Sequence, residues 1–218
     1  MRLNLGCGNV IFPVSKEATP WHIKTAPEEV HDGEWMNVDK YGNKGVDQIT
    51  DLFRYPLPFK DNSADFIYCS HLVEHIPHAV TLLDEFDVPV NEKYDYMSRH
   101  LDGWFVFFYE CWRILKPNAE IYIASPFAFS NAAFSDPTHT RYITPATFGY
   151  LCEPEANTPF DYHLPMRFEF VEPPVFRFFG KWAEAVKAGK VSAEQATEIA
   201  MTRFNSCDEL RVRMRAIK

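Results

Sequence analysis

Several side chains able to hold a ligand or move a proton fall where strand-like runs stop. Arg2-Leu3-Asn4-Leu5 ends in Gly6-Cys7-Gly8-Asn9, and glycines there permit a tight turn and let a ligand approach the main chain. Trp35 to Val38 ends in Asp39, a carboxylate able to accept from both hydroxyls of a ribose. Asp51 closes Val46 to Thr50; it can accept from an exocyclic amine while Leu52 and Phe53 pack on a flat ring. Ala64 to Ser70 is followed by His71, and Glu120 to Ala124 by Ser125-Pro126. Further on, Ser135-Asp136-Pro137-Thr138-His139 offers His139, whose ordinary pKa of about 6.5 suits proton transfer near neutrality. Asp136 stands ready to orient that ring or to hold a substrate. Plainer readings exist for each: a simple Gly turn, a solvated turn acid, and an Asp-Pro turn with helix-capping duty.

The elements that would position these groups follow from apolar patterning. Strands are expected at 2–5, 35–39, 46–50, 64–70, 120–124, 167–171, 175–179 and 209–217, with 9–34 a long loop holding at most one helical turn. Helices are expected at 71–86, broken or restarted at Pro77, at 103–116, near 145–152 and at 181–204. Residues 87–102 have no clear face and are expected to form an inserted loop. Leu210, Val212, Met214 and Ala216 alternate with arginines, as in an antiparallel strand with one wet side. Strands interleaved with helices in this order predict an α/β domain with a largely parallel sheet, whose ligands bind beyond the carboxyl ends of the strands.

Composition narrows the function. The 218 residues carry 22 Lys+Arg against 30 Asp+Glu, a net charge of −8, which argues against a polynucleotide partner. At 46% hydrophobic and 24% charged the chain has the material for a core and is not a disordered one. Five scattered cysteines with no CxxC pair predict neither a disulfide framework nor a zinc knot, and point to a reducing cytoplasm. The opening MRLNLGCG lacks the apolar run of a secretory leader, and the apolar run from Trp104 to Trp112 is too short to span a bilayer. No membrane partner and no metal are expected.

LNLGCG at 3–8, NVD at 37–39, DL at 51–52, PLPFKDNSADFIYCSHLVEHI at 56–76 and ECWRILKPNAEIYIASP at 110–126 together resemble class I S-adenosylmethionine-dependent methyltransferases of the type 11-like group. The likeness covers residues 1–126, with a weaker echo at DPTHTRYITPATF (136–148). It implies a Rossmann-like class I methyltransferase fold: a mostly parallel seven-stranded sheet with an antiparallel edge strand. It implies one domain over 1–218, with 1–126 holding the cofactor and 127–218 forming the acceptor side and a C-terminal elaboration. S-adenosyl-L-methionine would be held by Leu5, Gly6, Cys7 and Gly8 along its methionine and ribose parts, by Asp39 at the ribose hydroxyls, and by Asp51 and Leu52 at the adenine. Ser70 and His71 would stand near the sulfonium, and Glu74 and His75 would be structural. The implied reaction moves a methyl group to oxygen or nitrogen of a small-molecule or saccharide acceptor, with His139 and Asp136 as the catalytic candidates.

Three other readings compete. His71-Leu72-Val73-Glu74-His75 fits the HxxEH pattern of inverted zinc proteases, two histidines one helical turn apart with a glutamate base. The chain could instead bind S-adenosylmethionine as a non-catalytic scaffold subunit. An NAD(P) oxidoreductase would want a third glycine where Ile11 stands.

Overall fold

The computed structural model describes residues 1–15, 27–79, 102–152 and 164–218, with the main chain of 81–82. In chain order the strands are β1 (Arg2–Leu5), β2 (Trp35–Asp39), β3 (Gln48–Ile49), β4 (Arg54–Tyr55), β5 (Ala64–Ser70), β6 (Thr81–Leu82), β7 (Leu115–Pro126), β8 (Arg167–Phe170), β9 (Val175–Phe178) and β10 (Cys207–Ile217). The α-helices are α1 (Gly103–Ile114), α2 (Asn131–Ser135), α3 (Pro145–Cys152), α4 (Gly180–Lys187) and α5 (Ala193–Thr202). One sheet runs in the order β3-β2-β1-β5-β7-β10-β8, with β9 also paired to β10. Strands β3, β2, β1, β5 and β7 are mutually parallel, and β10 runs antiparallel to β7. The sheet is therefore mostly parallel, as expected, and β10 joins the later segment to the same sheet as the first 126 residues.

Two details of the sheet differ from expectation. Its seven positions hold eight strands, because β8 pairs with Met214–Ile217 and β9 pairs along Cys207–Arg211, sharing one edge position beside β10. The arginine-bearing β10 is consequently an interior strand, not an exposed edge. Its Leu210, Met214 and Ala216 are wholly buried. Arg211 bonds Glu209 at 2.6 Å, Arg213 bonds Glu120 and Glu29 at 2.6 Å each, and Arg215 reaches Glu120 at 3.2 Å. Neighbouring carboxylates thus take the place of water on that face.

Among the described residues of the helix expected at 71–86, the helical part is one 3-10 turn at Val73–His75, and Thr81–Leu82 is strand. The carbonyls that a helix would use are taken from elsewhere in the chain. Thr140 and Arg141 amides donate to the Glu74 carbonyl at 2.9 and 3.1 Å. The Thr140 hydroxyl and the Arg141 guanidinium donate to Ile76, and Arg141 also to Pro77. With those acceptors occupied, no i to i+4 ladder can form. Helix α1 stops two residues early, because Asn62 and Ser63 amides take the Arg113 and Ile114 carbonyls. The Pro117-Asn118 turn lies inside β7 as a bulge opposite the step from Ala64 to Phe66, with Asn118 at φ +62°. The single helix expected at 181–204 is two, parted at Gly189 (φ +65°), and Ser192 with Gln195 forms a capping box for α5. The expected insertion at 87–102 lies outside the described residues except for Asp102, which caps α1 by accepting from the Trp104 amide at 2.9 Å. Among the described residues, no helix is long and apolar enough to cross a membrane.

Candidate functional site

The carboxyl ends of β1, β2 and β5 meet at one cleft of about 590 Å³. Gly6 and Gly8 turn the chain there at φ +67° and +52°, left-handed values that glycine adopts without steric cost. The Gly6 and Cys7 amides donate to the Val38 carbonyl at 2.9 and 3.1 Å, which locks the turn to β2. A Cβ on Gly6 would meet the Leu72 side chain at 3.0 Å, whereas one on Gly8 would meet nothing within 4 Å. Gly8 therefore borders open space that any side chain would fill.

Asp39 joins two walls of the cleft. Its Oδ2 accepts from the Gly8 amide and its Oδ1 from the Tyr41 amide, both at 2.9 Å. Each oxygen retains a lone pair for a hydroxyl donor. Asp51 is exposed and accepts from the Phe53 amide at 3.1 Å, while Leu52 is 4% exposed. Gly6, Gly8, Asp39, Asp51, Leu52 and His71 all line the cleft. Cys7 and Ser70 line an adjoining cavity of about 120 Å³ that shares Gly6 and His71. Leu5 is wholly buried and lies beneath the turn in the core, so its side chain does not face the cleft. Burial, with Asp39 adding to it, pushes the Cys7 thiol up to about 11.

His71 sits at φ +53°. Its Nε2 lies 3.1 Å from Glu209 Oε2, and its Nδ1 lies 3.4 Å from Glu74 Oε1. Both glutamates are 1% exposed. Burial alone would lower its pKa, but the bond to Glu209 and the proximity of Glu74 outweigh it and lift the imidazole to about 9. The ring is therefore an imidazolium at neutral pH, bonded to Glu209 and standing beside Glu74.

His139 and Asp136 do not form the expected pair. Asp136 accepts from the Thr138 amide at 2.8 Å and from its hydroxyl at 2.6 Å. Those bonds hold its carboxyl below the usual range. His139 Nδ1 instead donates to the Ala133 carbonyl at 2.9 Å, and its side chain is only 7% exposed. His75, not His139, lines the cleft together with His71, and it does so beside Thr138. Its Nδ1 faces the Thr138 carbonyl at 3.3 Å and the Thr138 hydroxyl at 3.1 Å. That hydroxyl gives its own hydrogen to Asp136, so Asp136 orients His75 through Thr138. The rings of His75 and His139 stack edge to face with centroids 4.8 Å apart. The resemblance implied a structural His75, and HxxEH offered it only as a zinc ligand; its place on the cleft differs from both.

That motif does not take the form of an inverted zinc protease. His71 and His75 share no helix face, since only Val73–His75 is helical, and both nitrogens of His71 face glutamates. Phe127 and Phe148 are buried in the core. Tyr142 and Tyr150 line a second cleft of about 670 Å³ with Trp104 and Arg141.

No protein-family model matches the sequence, and no curated protein does. Solved structures do match in fold. One is a SAM-dependent methyltransferase from Archaeoglobus fulgidus, at 18% identity and TM-score 0.51, covering 98% of this chain and 85% of that one. Another, described as a sarcosine dimethylglycine methyltransferase from Galdieria sulphuraria, aligns at 13% identity and TM-score 0.50, covering 98% of this chain and 76% of that one. The fold is that of class I S-adenosylmethionine-dependent methyltransferases.

Proposed function

We propose that the chain is an S-adenosyl-L-methionine-dependent methyltransferase acting on oxygen or nitrogen of a small-molecule or saccharide acceptor. The observation that carries this reading is the joining of Gly8 and Asp39 at the carboxyl edge of a methyltransferase-type sheet, beside a cleft large enough for a nucleoside. The residues fit the cofactor. Gly8 leaves room against the main chain, Asp39 keeps lone pairs for the ribose hydroxyls, and Asp51 and Leu52 offer an acceptor and an apolar face to the adenine.

The bound cofactor supplies an activated methyl group: a carbon–sulfur bond breaks, a carbon–oxygen or carbon–nitrogen bond forms, and the acceptor's proton must leave. The chain's own task is to align the reactants and exclude water. Proton handling falls to His75 and His139, the first at the cleft and the second behind it, with Asp136 positioning His75 through Thr138. The net charge of −8 supports a small acceptor over a polynucleotide. All five cysteines are buried and none is joined in a disulfide, which supports a reducing cytoplasmic setting.

Titration calorimetry with S-adenosylmethionine and S-adenosylhomocysteine tests the reading. Both should bind the wild-type chain, and Asp39→Ala should bind about tenfold or more weakly, about 1.4 kcal/mol, while still folding by circular dichroism. Absence of binding to the wild type overturns the proposal. Methyl transfer to hydroxyl- and amine-bearing acceptor pools then tests turnover.

A further inference from the structure

Glu74 is 1% exposed, yet neither of its carboxylate oxygens accepts a hydrogen bond. His71, the cation already beside it, stands 3.4 Å from Oε1 and is bonded to Glu209. Oε2 therefore keeps no hydrogen-bond donor, and a buried carboxylate oxygen in that condition is costly. Its surroundings are histidines. His139 Nε2 lies 4.0 Å from Glu74 Oε1, and one donor atom from each of Glu74, His75 and His139 falls within 4.8 Å of the other two.

We infer that Glu74, His75 and His139 form a binding site for one divalent transition-metal ion of the zinc class. Tautomer geometry is the first support. His139 Nδ1 gives its hydrogen to the Ala133 carbonyl and His75 Nδ1 gives its own to Thr138. Each ring is left with its lone pair on Nε2. Histidine metal ligands carry this outer-shell pattern, one nitrogen fixed by a carbonyl or carboxylate and the other free to ligate. In His75 the support extends one step further, since Thr138 is itself tied to Asp136.

Rigidity is the second support. The segments carrying the donors are stitched together by the Thr140 and Arg141 amides on the Glu74 carbonyl and by Arg141 on Ile76 and Pro77. Donors about 2.1 Å from a tetrahedral zinc stand about 3.4 Å apart, so side-chain adjustments of about an ångström complete the set. Two imidazoles with one carboxylate suit zinc, iron(II) or cobalt(II), whereas magnesium and calcium favour oxygen donors. His71 approaches Glu74 from another side at 3.4 Å but is also paired with Glu209 at 3.1 Å, so it does not claim Glu74 for itself. His75 and Thr138 line the cleft, which places the site at its wall; with the ion bound the two imidazoles serve as ligands, and their proton handling belongs to the metal-free chain.

The test uses metal alone, with no cofactor present, so its outcome is independent of methyl transfer. The chelator-treated chain is titrated with cobalt(II) chloride, followed by visible d–d absorption, and then competed with zinc(II) chloride. One equivalent of cobalt should give a saturable band that zinc abolishes. His75→Ala, His139→Ala and Glu74→Gln should each weaken binding by about tenfold or more, while His78→Ala, on an exposed side chain paired with Asp102, should leave it intact. His75 is half-exposed, so its variant reports even where substitution of buried Glu74 unfolds the chain. The inference is overturned by absence of a cobalt band in the wild type, or by undiminished binding in His75→Ala or His139→Ala with native circular dichroism.

Discussion

Glu209 and His71 lie 138 residues apart in the chain and 3.1 Å apart in space. The contact ties the first residue after β5 to the start of β10, and Glu209 also accepts from Arg211 at 2.6 Å and approaches Arg177 at 3.4 Å. Three cationic groups therefore converge on one buried carboxylate. Glu209→Gln removes the shared charge, although Arg177 keeps Asp208 and His71 keeps Glu74. It should lower stability by about 3 kcal/mol, read from the midpoint of urea unfolding. A midpoint shifted by less than a third of that would show that the arginines repartner.

Thr138 transmits the orientation of Asp136 to His75. Thr138→Val removes the hydroxyl at nearly constant volume and should lower turnover about tenfold or more, while the dissociation constant of the cofactor holds. Thr138→Ser, which keeps the hydroxyl, should restore most of the rate. Equal losses in both variants would point to packing of the turn as the cause.

Two glycines should answer differently to alanine. A Cβ at Gly103 would lie 2.2 Å from the Pro77 carbonyl oxygen, so Gly103→Ala forces α1 away from that segment and should cost about 1–3 kcal/mol of stability. Gly8→Ala meets no neighbour and should cost only the strain of its positive φ, about 1 kcal/mol. Its larger effect should fall on nucleoside affinity. Thermal melts and calorimetry on the same two proteins separate the outcomes.

Alkali should weaken the fold before it ionises the interior. Tyr68, 3% exposed and stacked on Tyr122 at 5.4 Å, is pushed up from about 10 to about 12, mainly by burial. A raised folded-state value gives stability that is complete below pH 10 and lost as pH rises toward 12. At about 1.4 kcal/mol per unit the loss is about 3 kcal/mol. Denaturant melts at a series of pH values should show it, and Tyr68→Phe should flatten the slope across that window.

Arg113 closes a buried network that holds the turn before β5. It donates to both oxygens of Glu110 and to the carbonyls of Leu57 and Phe59. Glu110, wholly buried, also accepts from the Leu57 amide at 2.6 Å. Arg113→Met should destabilise by about 3–5 kcal/mol, while Glu110→Gln with Arg113→Met together should recover part of the loss.

The parts of the site that were legible in the sequence are those written locally. A glycine pair after an apolar run and an acid closing the next strand announce a cradle, and the structure brings Gly6, Gly8, Asp39 and Asp51 to one cleft. What was illegible depends on distant partners. Nothing near residue 76 says that Thr140 and Arg141 will claim its carbonyl and forestall a helix. Nothing near residue 136 says that its carboxylate serves His75 and not His139. The alternating arginines of β10 suggested a wet edge because their counter-charges, Glu29 and Glu120, stand on other elements.

The interior position of β10 also governs the order in which the chain can be completed during synthesis. Until residues 207–217 leave the ribosome, β7 presents the row Glu120 to Pro126 with one side unpaired, an apolar edge open to other chains. Its partner arrives only after the whole of α4 and α5 has been made. This late, long-range pairing favours slow maturation, and it makes a nascent chain halted in α5 the form that most needs a chaperone.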